Sequence, residues 1–155
     1  MNLNIRPSKS SDFLEIAALD RIAWKSNAHS EFIPDGEHVW RVWCENALMF
    51  TALSEEKIIG AILAFPCLEG TFCIHKVFVH PNNQNQGIGA KLFEVLNSEL
   101  DKLQKDGWLT VSPENENARK LYAKWGFTDE TFHKGYYRSY EDRCVLMRKT
   151  KQLNN

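Results

Sequence analysis

The stretch with the most chemistry in it runs Val77-Phe78-Val79-His80-Pro81-Asn82-Asn83-Gln84-Asn85-Gln86-Gly87-Ile88-Gly89-Ala90. It carries no acidic side chain, and its two glycines stand just ahead of apolar residues that recur at helical spacing. Gly87 and Gly89 let the main chain come close to an anion. Successive N–H groups at a helix start point at such an anion, and the helix dipole adds to the attraction. That is the chemistry of a pyrophosphate cradle, although a plain tight turn accounts for the same residues. No G-K-[ST] follows, which excludes a Walker loop, and Leu92 fills the third glycine position of a dinucleotide fingerprint.

A second stretch, Val111-Ser112-Pro113-Glu114-Asn115-Glu116-Asn117-Ala118-Arg119-Lys120-Leu121-Tyr122-Ala123-Lys124-Trp125-Gly126-Phe127, reads as a strand end, a capped helix start and a tyrosine two turns on. Asn115 and Tyr122 are seven apart and share one helix face, with Ala118 between them leaving room for a ligand. A plain N-cap and a buried, hydrogen-bonded aromatic are the structural readings of the same two residues.

These segments need elements to hold them. Asn2 to Arg6 alternates as a first strand. Asp12-x-x-Glu15, or Ser11 as cap, opens a helix to about Ser26, and Pro34-Asp35-Gly36 closes a loop. A second helix spans about Glu37 to Asn46. Strands at Leu48–Leu53 and Lys57–Phe65 flank Ser54-Glu55-Glu56 as a hairpin, and Thr71–Val79 is a third strand of this group. Ile88, Leu92, Val95, Leu96, Leu100 and Leu103 mark a helix from about Gly87 to Lys105. Trp108–Val111 is a short strand, Glu114–Trp125 a helix stopped by Gly126, and Phe127–His133 and Tyr140–Met147 are closing strands. The order β-α-α-β-β-β-α-β-α-β-β predicts an α/β mixed sheet with helices on both faces.

The 155 residues fit one domain, expected over 1–150 with a short polar tail at 151–155. Net charge is -1, from 19 Lys plus Arg against 20 Asp plus Glu, which argues against nucleic acid as a partner. No apolar run approaches the roughly 20 residues of a membrane span, and no secretory h-region is visible, so a cytoplasmic protein is expected. Cys44, Cys67, Cys73 and Cys144 form no C-x-x-C pair and complete no zinc spacing, so reduced thiols and no metal are expected.

The two motifs together resemble the GNAT superfamily of N-acetyltransferases. The family's V-x-V and [RQ]-x-x-G-x-[GA] match Val77-Phe78-Val79 and Gln84-Asn85-Gln86-Gly87-Ile88-Gly89. Its N-x-x-A-x-x-x-Y-x-x-x-G-F matches Asn115, Ala118, Tyr122, Gly126 and Phe127 in register. The resemblance implies a GNAT-type fold: a mostly antiparallel, twisted central sheet with one splayed parallel pair of strands that receives acetyl-CoA as co-substrate. It implies that main-chain groups of Val77 and Val79 pair with pantetheine as an added strand. The amides of Asn85, Gln86, Gly87, Ile88, Gly89 and Ala90 would cradle the pyrophosphate. Gln84 stands where the family more often has Arg and brings no charge. Lys91 or Lys124 would compensate by reaching a CoA phosphate, or would simply be a solvated lysine.

By the same carry-over, Tyr122 is the general acid that protonates the leaving thiolate, and Asn115 contacts cofactor or bound water. An N–H near Val77 or Phe78 polarises the thioester carbonyl. Transfer is direct, so the cysteines are idle, with Cys73 able only to intrude. The base is less defined. His75 alternates with Val77 and Val79 on one face and suits base work near neutral pH, against a structural strand histidine. Thr110 has no useful acid–base chemistry, and Ser112 would at most hold a water. Glu31, Asp35 and Glu37 would neutralise a cationic amine between walls such as Trp24, Phe32, Trp40 and Tyr136, or belong to a solvated loop. The expected acceptor is a small-molecule primary amine. A protein N-terminus or lysine, or a non-catalytic acyl-CoA sensor, are the alternatives, and the resemblance carries an expectation of homodimers.

Overall fold

The computed structural model describes residues 2–26 and 34–152. In chain order these form β1 (Leu3–Pro7), α1 (Phe13–Lys25), α2 (Glu37–Asn46), β2 (Leu48–Ser54), β3 (Lys57–Pro66), β4 (Phe72–Val79), α3 (Ile88–Leu103), β5 (Gly107–Val111), α4 (Glu116–Lys124), β6 (Asp129–His133) and β7 (Arg143–Arg148), with 3-10 turns at Ser10–Asp12 and Pro81–Asn83. The sheet order is β1-β2-β3-β4-β5-β7-β6. β1 and β2, β2 and β3, β5 and β7, and β6 and β7 pair antiparallel. β4 and β5 are the parallel pair, joined at Phe72 with Gly107 and Cys73 with Trp108. The expected element order and the mixed α/β class are both present. The chain packs as two compact units, Met1–Phe65 with His75–Leu96 and Pro66–Ile74 with Asn97–Asn155.

In the first unit, Met49 and Leu53 of β2 and Ile58 and Leu63 of β3 join Ile16, Ala17 and Leu19 of α1 and Trp40 and Cys44 of α2 in one apolar cluster. The opposite side of β3 meets α3, where a Cβ placed on Gly60 would stand 3.4 Å from Leu92 Cδ1 and 3.5 Å from Ile88 Cγ2. β3 is therefore buried without interruption from Ile58 to Ala64, as expected of a strand covered on both faces. Ile59 is an extra residue in the ladder, because Ala52 pairs with Gly60 while Leu53 already pairs with Ile58. The β2–β3 turn is Glu55-Glu56, with φ of 48° and 66°.

The start of α1 differs from the capping pattern in the sequence. Asp12 is turned to Arg6, at 2.8 and 3.0 Å, and to the Lys9 N–H. Glu15 accepts the Ile58 N–H at 3.0 Å. The two acids fasten β1 and β3 to the helix, and neither side chain caps it.

In the second unit β7 lies between β5 and β6. Gly107 allows the crossing, since a Cβ there would lie 2.9 Å from Leu100 Cδ1 and 3.0 Å from Ile74 Cδ1. Asp101 receives both Arg148 guanidinium nitrogens, at 2.9 and 2.8 Å, and the Lys151 N–H. The closing strands begin later than the sequence predicts. Phe127 is used to finish α4, and Tyr140 to Asp142 belong to a turn in which the Tyr136 N–H bonds to Glu141 O and the Gly135 N–H to the Asp142 carboxylate.

Candidate active site

β4 sets up the first group of residues. The His80 N–H donates to Ile59 O at 2.8 Å, and Phe78 O comes within 3.1 Å of a Cβ built on Gly60. Strand alternation then turns the main-chain groups of Val77 and Val79 away from β3. The Phe78 main chain faces β3, and its ring packs edge-on to Trp40 at 5.7 Å. Of the two amides expected to polarise a carbonyl, Val77 alone keeps its N–H off that ladder.

The loop that follows is built by short-range bonds. His80 Nδ1 accepts the Asn82 N–H at 3.1 Å. The Gln84 amide donates to Val79 O at 3.4 Å, so this side chain braces the loop. Asn85 and Gly87 have φ of 61° and 77°. The main-chain ladder of α3 opens with the Lys91 N–H on Gly87 O, which leaves the N–H groups of Ile88, Gly89 and Ala90 ahead of the ladder, as at any helix start. A Cβ on Gly87 or Gly89 would meet nothing within 4 Å. The residues thus fit an anionic group: donors without intrahelical partners, no acid in the loop, and open space above two glycines. Lys91 is exposed beside them.

The second group sits on α4. The Asn115 side chain accepts the Ala118 N–H at 3.2 Å, so the N-cap reading of Asn115 holds. Arg119 ties the helix to Pro113 O and to Glu130. At the far end the Phe127 N–H bonds to Tyr122 O and the Gly126 N–H to Ala123 O, both at 3.1 Å, around Gly126 at φ 94°. This is a Schellman ending, whose hydrophobic contact joins the residue after the glycine to the one five before it. Those residues are Phe127 and Tyr122, with rings 6.4 Å apart and T-shaped, and Trp125 closes on Tyr122 at 5.9 Å. The Y-x-x-x-G-F spacing is therefore a device that fixes a tyrosine ring. Burial pushes the Tyr122 hydroxyl above its ordinary pKa, which keeps it protonated. Lys124 is exposed in the last turn.

The third group was not foreseen as a group. His75 Nε2 lies 3.1 Å from Asp35 Oδ2, and its ring stands 5.1 Å from Trp43 and 6.0 Å from Phe65. Lys76 Nζ lies 2.7 Å from Asp35 Oδ2 and 2.9 Å from both Asp20 oxygens. Asp20, only 3% exposed, also accepts the Asp35 N–H and the Trp40 indole N–H. Burial works against the Asp35 carboxylate, but its bonds to His75 and Lys76 outweigh it and hold the group below the ordinary range. The sequence signal for Asp20 was its place on the apolar stripe of α1; Lys76 gave none beyond a charge in an apolar strand.

This arrangement alters the expected acceptor pocket. Asp35 is matched by Lys76, and Glu37 pairs with Arg21 on the surface. Trp40 is fully buried core and cannot wall a pocket, while Trp24 lies 5.9 Å from Lys76 Nζ. Glu31 and Phe32 fall outside the described residues. Tyr136 is exposed and packs against Tyr137, whose hydroxyl meets Thr110 Oγ1 at 2.8 Å. Cys73 is buried and its thiol is pushed up to about 12, so it is inert as a nucleophile.

Residues 15–127 match the profile of the Acetyltransferase (GNAT) family. The chain belongs to the GNAT family. Among curated relatives, the [ribosomal protein bS18]-alanine N-acetyltransferase of Escherichia coli K12 is 35% identical over 74 residues, which is 45% of this chain and 48% of that enzyme. The chain thus spans about half the length of the curated relatives it matches. The crystal structure of the Escherichia coli ribosomal-protein-S18-alanine N-acetyltransferase superposes with a TM-score of 0.81 at 23% identity, over 99% of this chain and 97% of that one. The PaiA N-acetyltransferase of Thermoplasma acidophilum, solved in complex with coenzyme A, gives 0.71 at 15% identity over 96% and 99%. These structures share the GNAT fold. Among the described residues no helix is long and apolar enough to cross a membrane.

Proposed function

We propose that the protein transfers acetyl from acetyl-CoA to a primary amine by direct attack. The observation that carries this is Tyr122, a phenol fixed at a Schellman ending and kept protonated by burial. The helix-start amides from Ile88 to Ala90, with Asn85, Gln86 and Gly87 before them, hold the pyrophosphate. Val77 and Val79 pair with pantetheine through their main chain, and the Val77 N–H supports the thioester carbonyl oxygen as charge grows on it. The amine nitrogen attacks the carbonyl carbon, the C–S bond breaks, and the thiolate takes the Tyr122 proton. The proton lost by the amine goes to His75. Phe78 contributes packing, Asn115 and Ala118 form the capped turn that starts the helix bearing Tyr122, and Lys124 or Lys91 offers charge to a CoA phosphate.

For the acceptor, we favour the α-amine of a polypeptide. Of the carboxylates that suggested a small cationic amine, Asp35 is matched by Lys76 and Glu37 by Arg21, while Glu31 lies outside the described residues. The name of the 35%-identical relative points the same way. A small amine is the second reading, and a thiol-release screen of peptides beside simple amines separates the two.

Tyr122→Phe tests the whole proposal. It should lower kcat by about 10²–10⁴-fold, the usual worth of a positioned general acid, while calorimetry shows CoA affinity unchanged. Equal turnover in both proteins would remove the acid role. CoA binding without thiol release from any amine would indicate a sensor.

A further inference from the structure

We propose that Asp35 is a positioning residue for His75: its carboxylate takes the Nε2–H, which leaves Nδ1 as the basic nitrogen of the ring. This rests on the reading of His75 as base and adds the atom that acts and the groups that select it. A neutral imidazole protonates one nitrogen, and the partner of that nitrogen decides which. Asp35 Oδ2 lies 3.1 Å from Nε2. An ionised carboxylate only accepts, so Nε2 must donate.

The carboxylate itself is held. Lys76 Nζ fixes the same oxygen at 2.7 Å, and the Asp35 N–H donates to Asp20 at 3.0 Å. Asp20 in turn is clamped by Lys76 and by Trp40. Trp43 and Phe65 hold the ring plane. With Nε2 committed and the ring braced, the Nδ1 lone pair is the one site left for a proton. The charges agree: two carboxylates and one ammonium leave the group at -1 with His75 neutral. A proton taken at Nδ1 brings it to zero. Those carboxylates thus serve the base and the ammonium beside it.

Two-bond ¹H–¹⁵N correlation of the full chain above neutral pH reads the tautomer, with the His75 signals assigned by their loss in His75→Gln. We expect His75 protonated on Nε2 in the wild type. Asp35→Ala should mix the tautomers and lower kcat about 10–100-fold, the typical effect of removing an orienting partner, with KM for acetyl-CoA unmoved. Asp35→Asn should restore the Nε2–H form, because Lys76 only donates and keeps the amide oxygen facing inward. A wild-type His75 protonated on Nδ1, or a pattern unchanged in Asp35→Ala, overturns the proposal, and the wild-type spectrum decides even if Asp35→Ala fails to fold. Full turnover of His75→Gln would instead remove the base reading and leave the tautomer result standing.

Discussion

Replacing Lys76 with methionine keeps the apolar stem and removes the ammonium. The loss is large because of what remains. Asp20 has 4% of its side chain exposed, and Asp35 25%. Removing one partner of a buried pair costs about 3–5 kcal/mol, since the other charge stays buried and uncompensated. The contacts of Nζ with the Trp24 and Trp40 faces, at 5.9 and 5.8 Å, go as well. Asp20 keeps the Trp40 and Asp35 N–H donors, which places the expectation toward the lower end of that range. For a chain of this size the loss corresponds to a fall in Tm of roughly 6–20 °C. The assay is urea unfolding of wild type, Lys76→Met, Asp20→Asn and the double variant. The double variant should recover much of the loss, because replacing both members of a buried pair is often near neutral. The pH arm has a definite sign. The Asp35 pKa is depressed in the folded state, so its contribution is present above its ordinary value of 3.8 and fades as pH falls through the folded value. Lys76→Met removes one source of that depression, so the gap to wild type narrows below about pH 4. A loss under about 1 kcal/mol at neutral pH, or no recovery in the double variant, would refute the reasoning and make the cluster a solvated surface feature.

Gly126→Ala forces a Cβ into φ 94° and to within 3.3 Å of Arg148 Nε; it should cost about 1–2 kcal/mol and lower kcat through Tyr122, as followed by unfolding and thiol release. Asp101→Asn leaves the Arg148 guanidinium, with 6% of its side chain exposed, without its carboxylate, so a loss of about 3–5 kcal/mol is expected in urea. The Arg148 bond holds Asp101 below its ordinary pKa, so wild type should lose this advantage as pH falls below about 4 and the two curves should converge. The Cys73 thiol, pushed up to about 12, should resist iodoacetamide at pH 8 until the protein is unfolded; labelling at the rate of a free thiol would contradict its burial.

The sequence disclosed what local physics encodes. α2 has the bounds its periodicity predicts, Glu37 to Asn46. The Asn115 cap and the Gly126 stop were legible because each is fixed by residues within a few positions. α4 starts two residues later than predicted, at Glu116, because Ser112 to Asn115 close a turn first. Asp12 and Glu15 have the spacing of a cap and serve another purpose, as their partners Arg6 and Ile58 come from other elements. The Asp20–Lys76–Asp35 cluster was hidden for the same reason in a stronger form. Its members lie on α1, β4 and the approach to α2, and no spacing rule joins residues 56 apart.

The β2–β3 turn bears on how the chain folds in time. Two-residue hairpins favour Asn-Gly because both positions need positive φ, yet here two glutamates occupy them. Each pays about 1–2 kcal/mol for that conformation, so the local sequence opposes the reversal it makes. The register must be imposed from outside, by the apolar faces of α1, α2 and α3 closing on β3. Pairing of β2 with β3 is therefore expected to depend on that collapse and not on its turn. These two adjacent strands are then expected to pair late, governed by contacts distant along the chain.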